Sequence, residues 1–346
     1  MKHTTLLALT LALCASHISA QSPTPDGAQQ LANLAQCPLE SGELIQDCHI
    51  GYRTWGKLNA DRSNAVLFPT WFTGVSAELA DSIGPGKLVD PSRYFVIAVD
   101  ALGDGVSSSP SNSKAQPRMA FPAFTIADMV QSQYRLLTET LHIPHLHAVI
   151  GISMGGMQTF QWIVDHPDFM DLAVPIVGST RLTAWDLLLW HAEEDAIRQS
   201  PAWQLGNYAR TPALPLTAIL QDMNLTTPSH YNREVPRDNF AHEYAAYGTE
   251  GATEFDANDR IYQLQAMIHH DIAHGASLED TAKRVHARVL VVVSQQDHMV
   301  NPAPAQAFAP LIHAQVITLT SDCGHLATGC EADKLDPQVR AFLDSK

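Results

Sequence analysis

The stretch Ala148-Val149-Ile150-Gly151-Ile152-Ser153-Met154-Gly155-Gly156-Met157-Gln158 decides the fold. Its first residues form an apolar run suited to a buried strand, and residues 154–166 then show helical periodicity that stops before Pro167. A Gly-x-Ser-x-Gly set between a strand and a helix is the sequence form of a nucleophile elbow, a sharp turn that stands the serine hydroxyl clear of the sheet. The turn strains the serine backbone, and side chains two positions to either side would strike neighbouring strands; Gly151 and Gly155 meet that demand, with Gly156 beside them. Ser153 also falls at a helix N-terminus, where the Met154 N–H can face a developing oxyanion. The pattern alone recurs by chance, and its flanks make it informative.

Outward from the elbow, apolar runs at 65–68, 94–99, 172–177, 289–293 and 316–319 read as further strands buried on both faces. Between them, Thr125-Ile126-Ala127-Asp128 resembles a capping box opening a helix to about residue 141, and helices are expected at 302–312 and 337–343. This alternation predicts an α/β fold, a mostly parallel central sheet flanked by helices. Residues 181–284 break the alternation, offering helices at 185–199 and 259–274 without a clear buried strand, and are read as a helical cap inserted before the last strands. The expected organisation is a signal peptide (1–20), a poorly ordered lead-in (21–36), an α/β-hydrolase core (37–180 and 285–346) and the cap (181–284).

In an α/β-hydrolase fold an acid and then a histidine follow the serine along the chain. Asp297 follows the run 289–293, and His325 follows the run 316–319. His325 is expected to act as general base on Ser153, and Asp297 to orient and stabilise the imidazolium. The alternative for Asp297 is a loop acid or helix cap ahead of Pro302. Asp322 is the second candidate acid, although its nearness to His325 would require a tight turn.

A chain of 346 residues with 45% hydrophobic content can bury one large core, which excludes disorder. The net charge of -15 is scattered, without an acidic run, and argues against nucleic acid or anionic membrane as partners. Lys2 and His3, the apolar run 6–14 and Ile18-Ser19-Ala20 before Gln21 read as a secretory signal cleaved after Ala20, too short for a membrane span. Secretion or a periplasmic location follows, and oligomeric state is left open. Cys37, Cys48, Cys323 and Cys330 then remain as an even set bound for an oxidising compartment. Two local bridges, Cys37–Cys48 across a turn and Cys323–Cys330 around His325, are the economical pairing; four buried thiols are the alternative.

No cofactor or metal is expected. His269 and His270 are adjacent and diverge by about 100° on a helix, so they cannot chelate one ion together, and His145 with His147 is discounted as well. Gly84-Pro85-Gly86-Lys87 lacks the remaining glycine spacing and Ser/Thr of a phosphate loop.

Several blocks resemble the homoserine O-acetyltransferase family of α/β hydrolases over about residues 50–325: Tyr52-Arg53-Thr54-Trp55-Gly56 with Leu58-Asn59, Ser63-Asn64-Ala65-Val66-Leu67, Ser153-Met154-Gly155-Gly156-Met157-Gln158, and Phe255-Asp256-Ala257-Asn258 with Ala266-Met267. The resemblance implies that Trp71-Phe72-Thr73-Gly74 is an oxyanion loop in which the Phe72 N–H partners that of Met154, with Trp71 as second candidate and aromatic packing as the alternative. The family's amino-acid recognition uses an Arg and a Tyr seven residues apart in the cap and an Asp directly after the catalytic His. Leu220, Thr227 and Leu326 stand at the corresponding positions here, leaving Arg181 and Arg198 as other cap cations that could substitute. Without such groups homoserine would lose charge-assisted bonds of roughly 1.5 to 3 kcal/mol each. An exported transferase would also lie away from cytoplasmic acetyl-CoA. The expected function is therefore an exported, esterase-like serine hydrolase that cleaves a small-molecule acyl substrate through an acyl-enzyme, with water as acceptor. Acyl transfer to a different acceptor is the second reading, and a non-catalytic binding role on the same fold the third.

Overall fold

Runs of β-branched and apolar residues long enough for a strand build the centre of the molecule. The computed structural model describes residues 26–247 and 255–345. Its strands are β1 (Gln30–Pro38), β2 (Leu44–Trp55), β3 (Ala65–Pro69), β4 (Phe95–Val99), β5 (Leu146–Ile152), β6 (Met170–Ile176), β7 (Arg288–Ser294) and β8 (Gln315–Leu319). They form one sheet in the order β1-β2-β4-β3-β5-β6-β7-β8. The pairs β1–β2 and β2–β4 are antiparallel, and the pairs from β4 through β8 are parallel.

Because side chains alternate along a strand, the sheet serves two cores. Leu67, Ile97, Val149 and Val291 join one with Met129, Phe160 and Trp162. Val66, Phe68, Ala148 and Ile150 join the other with Leu79, Leu335, Val339 and Phe342. The first face is covered by α1 (Ile126–Arg135), which opens on the Thr125/Asp128 capping box, and α2 (Met154–Asp165). The helix Ala332–Leu343 covers the second.

Between β6 and β7 the chain is helical: α3 (Ala184–Arg198), α4 (Pro215–Leu225), α5 (Pro228–Glu234), α6 (Phe240–Ala246) and α7 (Ala257–Ile268). A disulfide joins Cys37 of β1 to Cys48 of β2, and a second joins Cys323 to Cys330. No described helix is long and apolar enough to cross a membrane.

Some expectations require correction. Residues 30–36, read as lead-in, belong to β1, where Ala32, Leu34 and Cys37 are buried. Gln, Asn and Ala dilute that alternation, and the strand is held by pairing with β2 rather than by its own apolar content. The last helix begins at Ala332 rather than 337, with Pro337 inside it. Burial of Leu335, Val339, Phe342 and Leu343 outweighs the one hydrogen bond a proline removes. Regular α-helix ends at Arg135 in α1, followed by a wider π-type turn over Leu136–Thr140, and α7 runs earlier than expected, stopping at Ile268. The signal segment and its cleavage point lie outside the described residues.

Candidate active site

β5 delivers Ser153 into the elbow with φ 58° and ψ -120°, a conformation rare for a residue with a side chain. The flanking glycines make the turn possible. A Cβ on Gly151 would come within 2.1 Å of the Gly155 carbonyl oxygen, and one on Gly155 within 2.6 Å of the Pro69 oxygen. At Gly156 it would meet the Ile176 oxygen at 2.8 Å, so the elbow also packs against β6.

The ends of β7 and β8 bring the other two groups to the serine. His325 Nε2 is 2.9 Å from Ser153 Oγ, and His325 Nδ1 is 2.6 Å from Asp297 Oδ2. With the imidazole proton on Nδ1, both contacts are hydrogen bonds, the serine hydroxyl donating to Nε2. Asp297 is fixed in turn, its Oδ1 accepting the Met299 and Val300 N–H groups at 2.9 Å each. All three side chains are buried. A hydroxyl aimed at a neutral imidazole whose far nitrogen is held by a carboxylate can lose its proton as it attacks an electrophile.

Asp322 is turned elsewhere. Arg233 of α5 clasps its carboxylate through both guanidinium nitrogens and, with help from nearby His230, holds its carboxyl below the usual range. Thr227 adds its N–H and hydroxyl to the Asp322 carbonyl, at 3.3 and 2.8 Å. Cys323 lies beside His230 and Asp322, but its sulfur is bonded to Cys330 and is not a metal-binding thiolate.

Loop 71–74 follows β3. Gly74 N–H donates to the Trp71 carbonyl at 3.0 Å, and Thr73 N–H to Gln263 Oε1 at 2.9 Å. Among the described residues the Phe72 and Met154 N–H groups have no hydrogen-bond acceptor. Phe72, Ser153 and His325 line one cavity of about 450 Å³, walled largely by Trp71, Trp190, Leu225, Met299 and Leu326, with Gln221, Asp81 and Asp336 among its polar groups. A larger hollow of about 760 Å³ lies at the opposite ends of the strands, around His147, Asp171 and Arg288, away from the serine.

The residues expected to depart from the homoserine pattern make other contacts. Leu220 packs against the core, the Thr227 hydroxyl is engaged by Asp322, and Leu326 lines the cavity. Arg198 pairs with Glu194 at 2.7 Å and lies over Trp203, and Arg181 is exposed. His145, His147, His269 and His270 bond to four separate partners: Asp171 and the carbonyls of Leu343, Gln265 and Ser179.

Sequence reasoning missed a buried ion pair behind loop 71–74. Arg260 of α7 reaches Glu193 of α3 at 3.2 Å and Gln221 at 2.8 Å, with its guanidinium 5.2 Å from the Phe72 ring centre. Burial pushes Glu193 up to about 7 despite Arg260, and burial likewise lowers Arg260. A signal was present: Glu193 stands on the same stripe as Leu189, Trp190 and Ile197, where an acid needs a buried partner.

A mostly parallel sheet, a strand-elbow-helix unit and a serine facing a histidine–carboxylate pair define an α/β hydrolase. A family model for the alpha/beta hydrolase fold matches residues 65–328, and the chain belongs to that family. Within it the chain is similar to both esterases and acetyltransferases. It is 40% identical over 192 residues to the ethyl acetate hydrolase of Pseudomonas veronii, a match covering 54% of each chain. It is 34% identical over 279 residues to the homoserine O-acetyltransferase of Caulobacter vibrioides, over 69% of this chain and 72% of that one. Among solved structures, the acetyl esterase MekB superposes with a TM-score of 0.85 at 30% identity, over 92% of this chain and 97% of that one. The match spans only about half the length of the curated esterase from Pseudomonas veronii.

Proposed function

We propose that this protein is an exported serine esterase acting on small, uncharged acyl esters. The hydrogen-bonded series Ser153–His325–Asp297, opening on a largely apolar cavity, carries the reading. Ser153 Oγ attacks the ester carbonyl as its proton passes to His325 Nε2, and the resulting oxyanion is held by the Phe72 and Met154 N–H groups. Collapse expels the alcohol, which takes the proton from His325, and leaves an acyl-Ser153 ester. Water then gives a proton to His325 and its oxygen to the acyl carbon, and Ser153 regains its proton as the acid leaves. Asp297 stabilises the imidazolium at each stage. Export is supported by the leader-like residues 1–20 and by the two disulfides, which persist in oxidising compartments.

Similarity to an ethyl acetate hydrolase and to an acetyl esterase supports a short acyl group. The acetyltransferase relative keeps acyl transfer as the second reading. Labelling with a fluorophosphonate, followed by mass spectrometry of the wild type and Ser153→Ala, tests the mechanism alongside turnover of short-chain aryl esters. Labelling at Ser153 with ester turnover is expected. Product that depends on an added alcohol or amine and outpaces hydrolysis would favour transfer, whereas folded protein without label or turnover would end the catalytic reading.

A further inference from the structure

We infer that Gln263 and Arg260, on one face of α7, are positioning residues for the oxyanion loop, Gln263 through the backbone of Thr73 and Arg260 through the ring of Phe72. This rests on the proposed acyl-enzyme chemistry and on Phe72 as an oxyanion donor.

The loop needs outside support. Thr73 has φ 62°, a left-handed conformation that costs a residue with a side chain on the order of 1 kcal/mol or more. The group that meets its N–H comes from the cap, 190 residues away in sequence: the fully buried Gln263, whose Oε1 accepts that N–H at 2.9 Å. Gln263 Nε2 donates to the Leu102 carbonyl at 3.3 Å, so one amide ties the oxyanion loop to the loop after β4. With the Thr73 and Gly74 N–H groups engaged, Phe72 is left as the free donor of these three. The Phe72 ring is fixed by the Arg260 guanidinium and by a T-shaped contact with Trp190, ring centres 5.6 Å apart. Arg260 is anchored in turn by Glu193 and Gln221. Neither α7 residue needs to touch the substrate; together they set the orientation of the 71–73 backbone.

The test compares Gln263→Met with Gln263→Glu. The methionine variant keeps the volume but leaves Thr73 N–H without an acceptor, and kcat should fall about 10- to 100-fold with KM within about twofold, as expected for a misplaced transition-state donor. A neutral glutamic acid can accept from Thr73 and donate to Leu102, whereas its anion cannot donate. The activity of Gln263→Glu relative to wild type should therefore fall as pH rises, while the relative activity of Gln263→Met should not depend on pH. Arg260→Met combined with Glu193→Gln, which leaves no buried orphan charge, should also lower kcat rather than raise KM. If Gln263→Met fails to fold, the pH dependence of Gln263→Glu decides. A folded Gln263→Met with wild-type kcat, or a loss confined to KM, overturns the positioning role while leaving the esterase reading intact. Wild-type protein that neither labels at Ser153 nor turns over esters overturns both.

Discussion

Arg233 of α5 holds the carboxylate of Asp322 through both guanidinium nitrogens, fastening the cap to the loop that carries His325. The contact is reinforced where Leu225 and Thr226 press on Gly324, at a point where a Cβ would lie 3.0 Å from the Leu225 carbonyl oxygen. The position of His325 is thus coupled to the cap. Arg233→Met should lower kcat about 3- to 10-fold by loosening that loop. Its melting temperature should move by no more than about 2 °C, because solvent-exposed ion pairs contribute about 0–1 kcal/mol. In wild-type enzyme, 1 M salt should reproduce part of the loss by screening the pair. Unchanged kcat in the variant would show that the clasp has no part in aiming the histidine.

The two candidate acids separate cleanly by substitution. Asp297→Asn should reduce kcat by roughly 10⁴-fold, since an amide at that site favours the imidazole tautomer that cannot take the serine proton. Asp322→Asn should cost no more than about tenfold, acting only through the loop. Steady-state kinetics on an aryl ester distinguishes them, and comparable losses would contradict the assignment of Asp297.

The disulfides offer a second comparison. Cys323–Cys330 encloses His325, whereas Cys37–Cys48 staples the edge hairpin of the sheet. Replacing either pair with serine should lower stability by about 2 kcal/mol. Only the Cys323/Cys330 variant should also lose turnover, by about tenfold at a temperature where it remains folded. Equal activity in the two variants would remove the enclosing bridge from any role in orienting the base.

The elbow was readable because its demands are local: a strand, a positive-φ serine and glycines where backbones nearly touch. The chain order of Ser153, Asp297 and His325 was readable for a related reason, each residue following an apolar run that becomes a parallel strand. β1 was not, since its short alternation gains meaning only when β2 lies beside it. Arg260, Glu193 and Gln263 were harder still. Their roles arise from α7 packing against α3 and the loop after β3, contacts between segments far apart in sequence that no local periodicity encodes. Arg233 belongs to the same class: it reads as an ordinary surface charge, and Asp322 as a second candidate acid, until the helices between β6 and β7 bring the two together.

Helix α7 also carries a group whose titration should be visible in stability. Asp259 is buried against Ser111, accepting its N–H at 2.9 Å and its hydroxyl at 2.5 Å. Burial first, and the charge of Asp256 second, push its carboxyl up to about 8. An acid whose folded value is raised binds its proton more tightly in the native state, so native stability declines as pH rises from its ordinary value near 4 towards 8. Asp259→Asn removes that dependence: its carbonyl oxygen can still accept the Ser111 N–H, and its amide can donate to the hydroxyl oxygen. The variant should melt close to wild type at pH 5, where both side chains are neutral. At pH 9 it should gain at least about 2 °C on wild type, the shift that roughly 1 kcal/mol gives a chain of this size. Scanning calorimetry across that range reads the difference directly. A gap between the two proteins that stays constant from pH 5 to 9 would mean that Asp259 is already ionised in its buried site, held there by Ser111 and the α7 N-terminus.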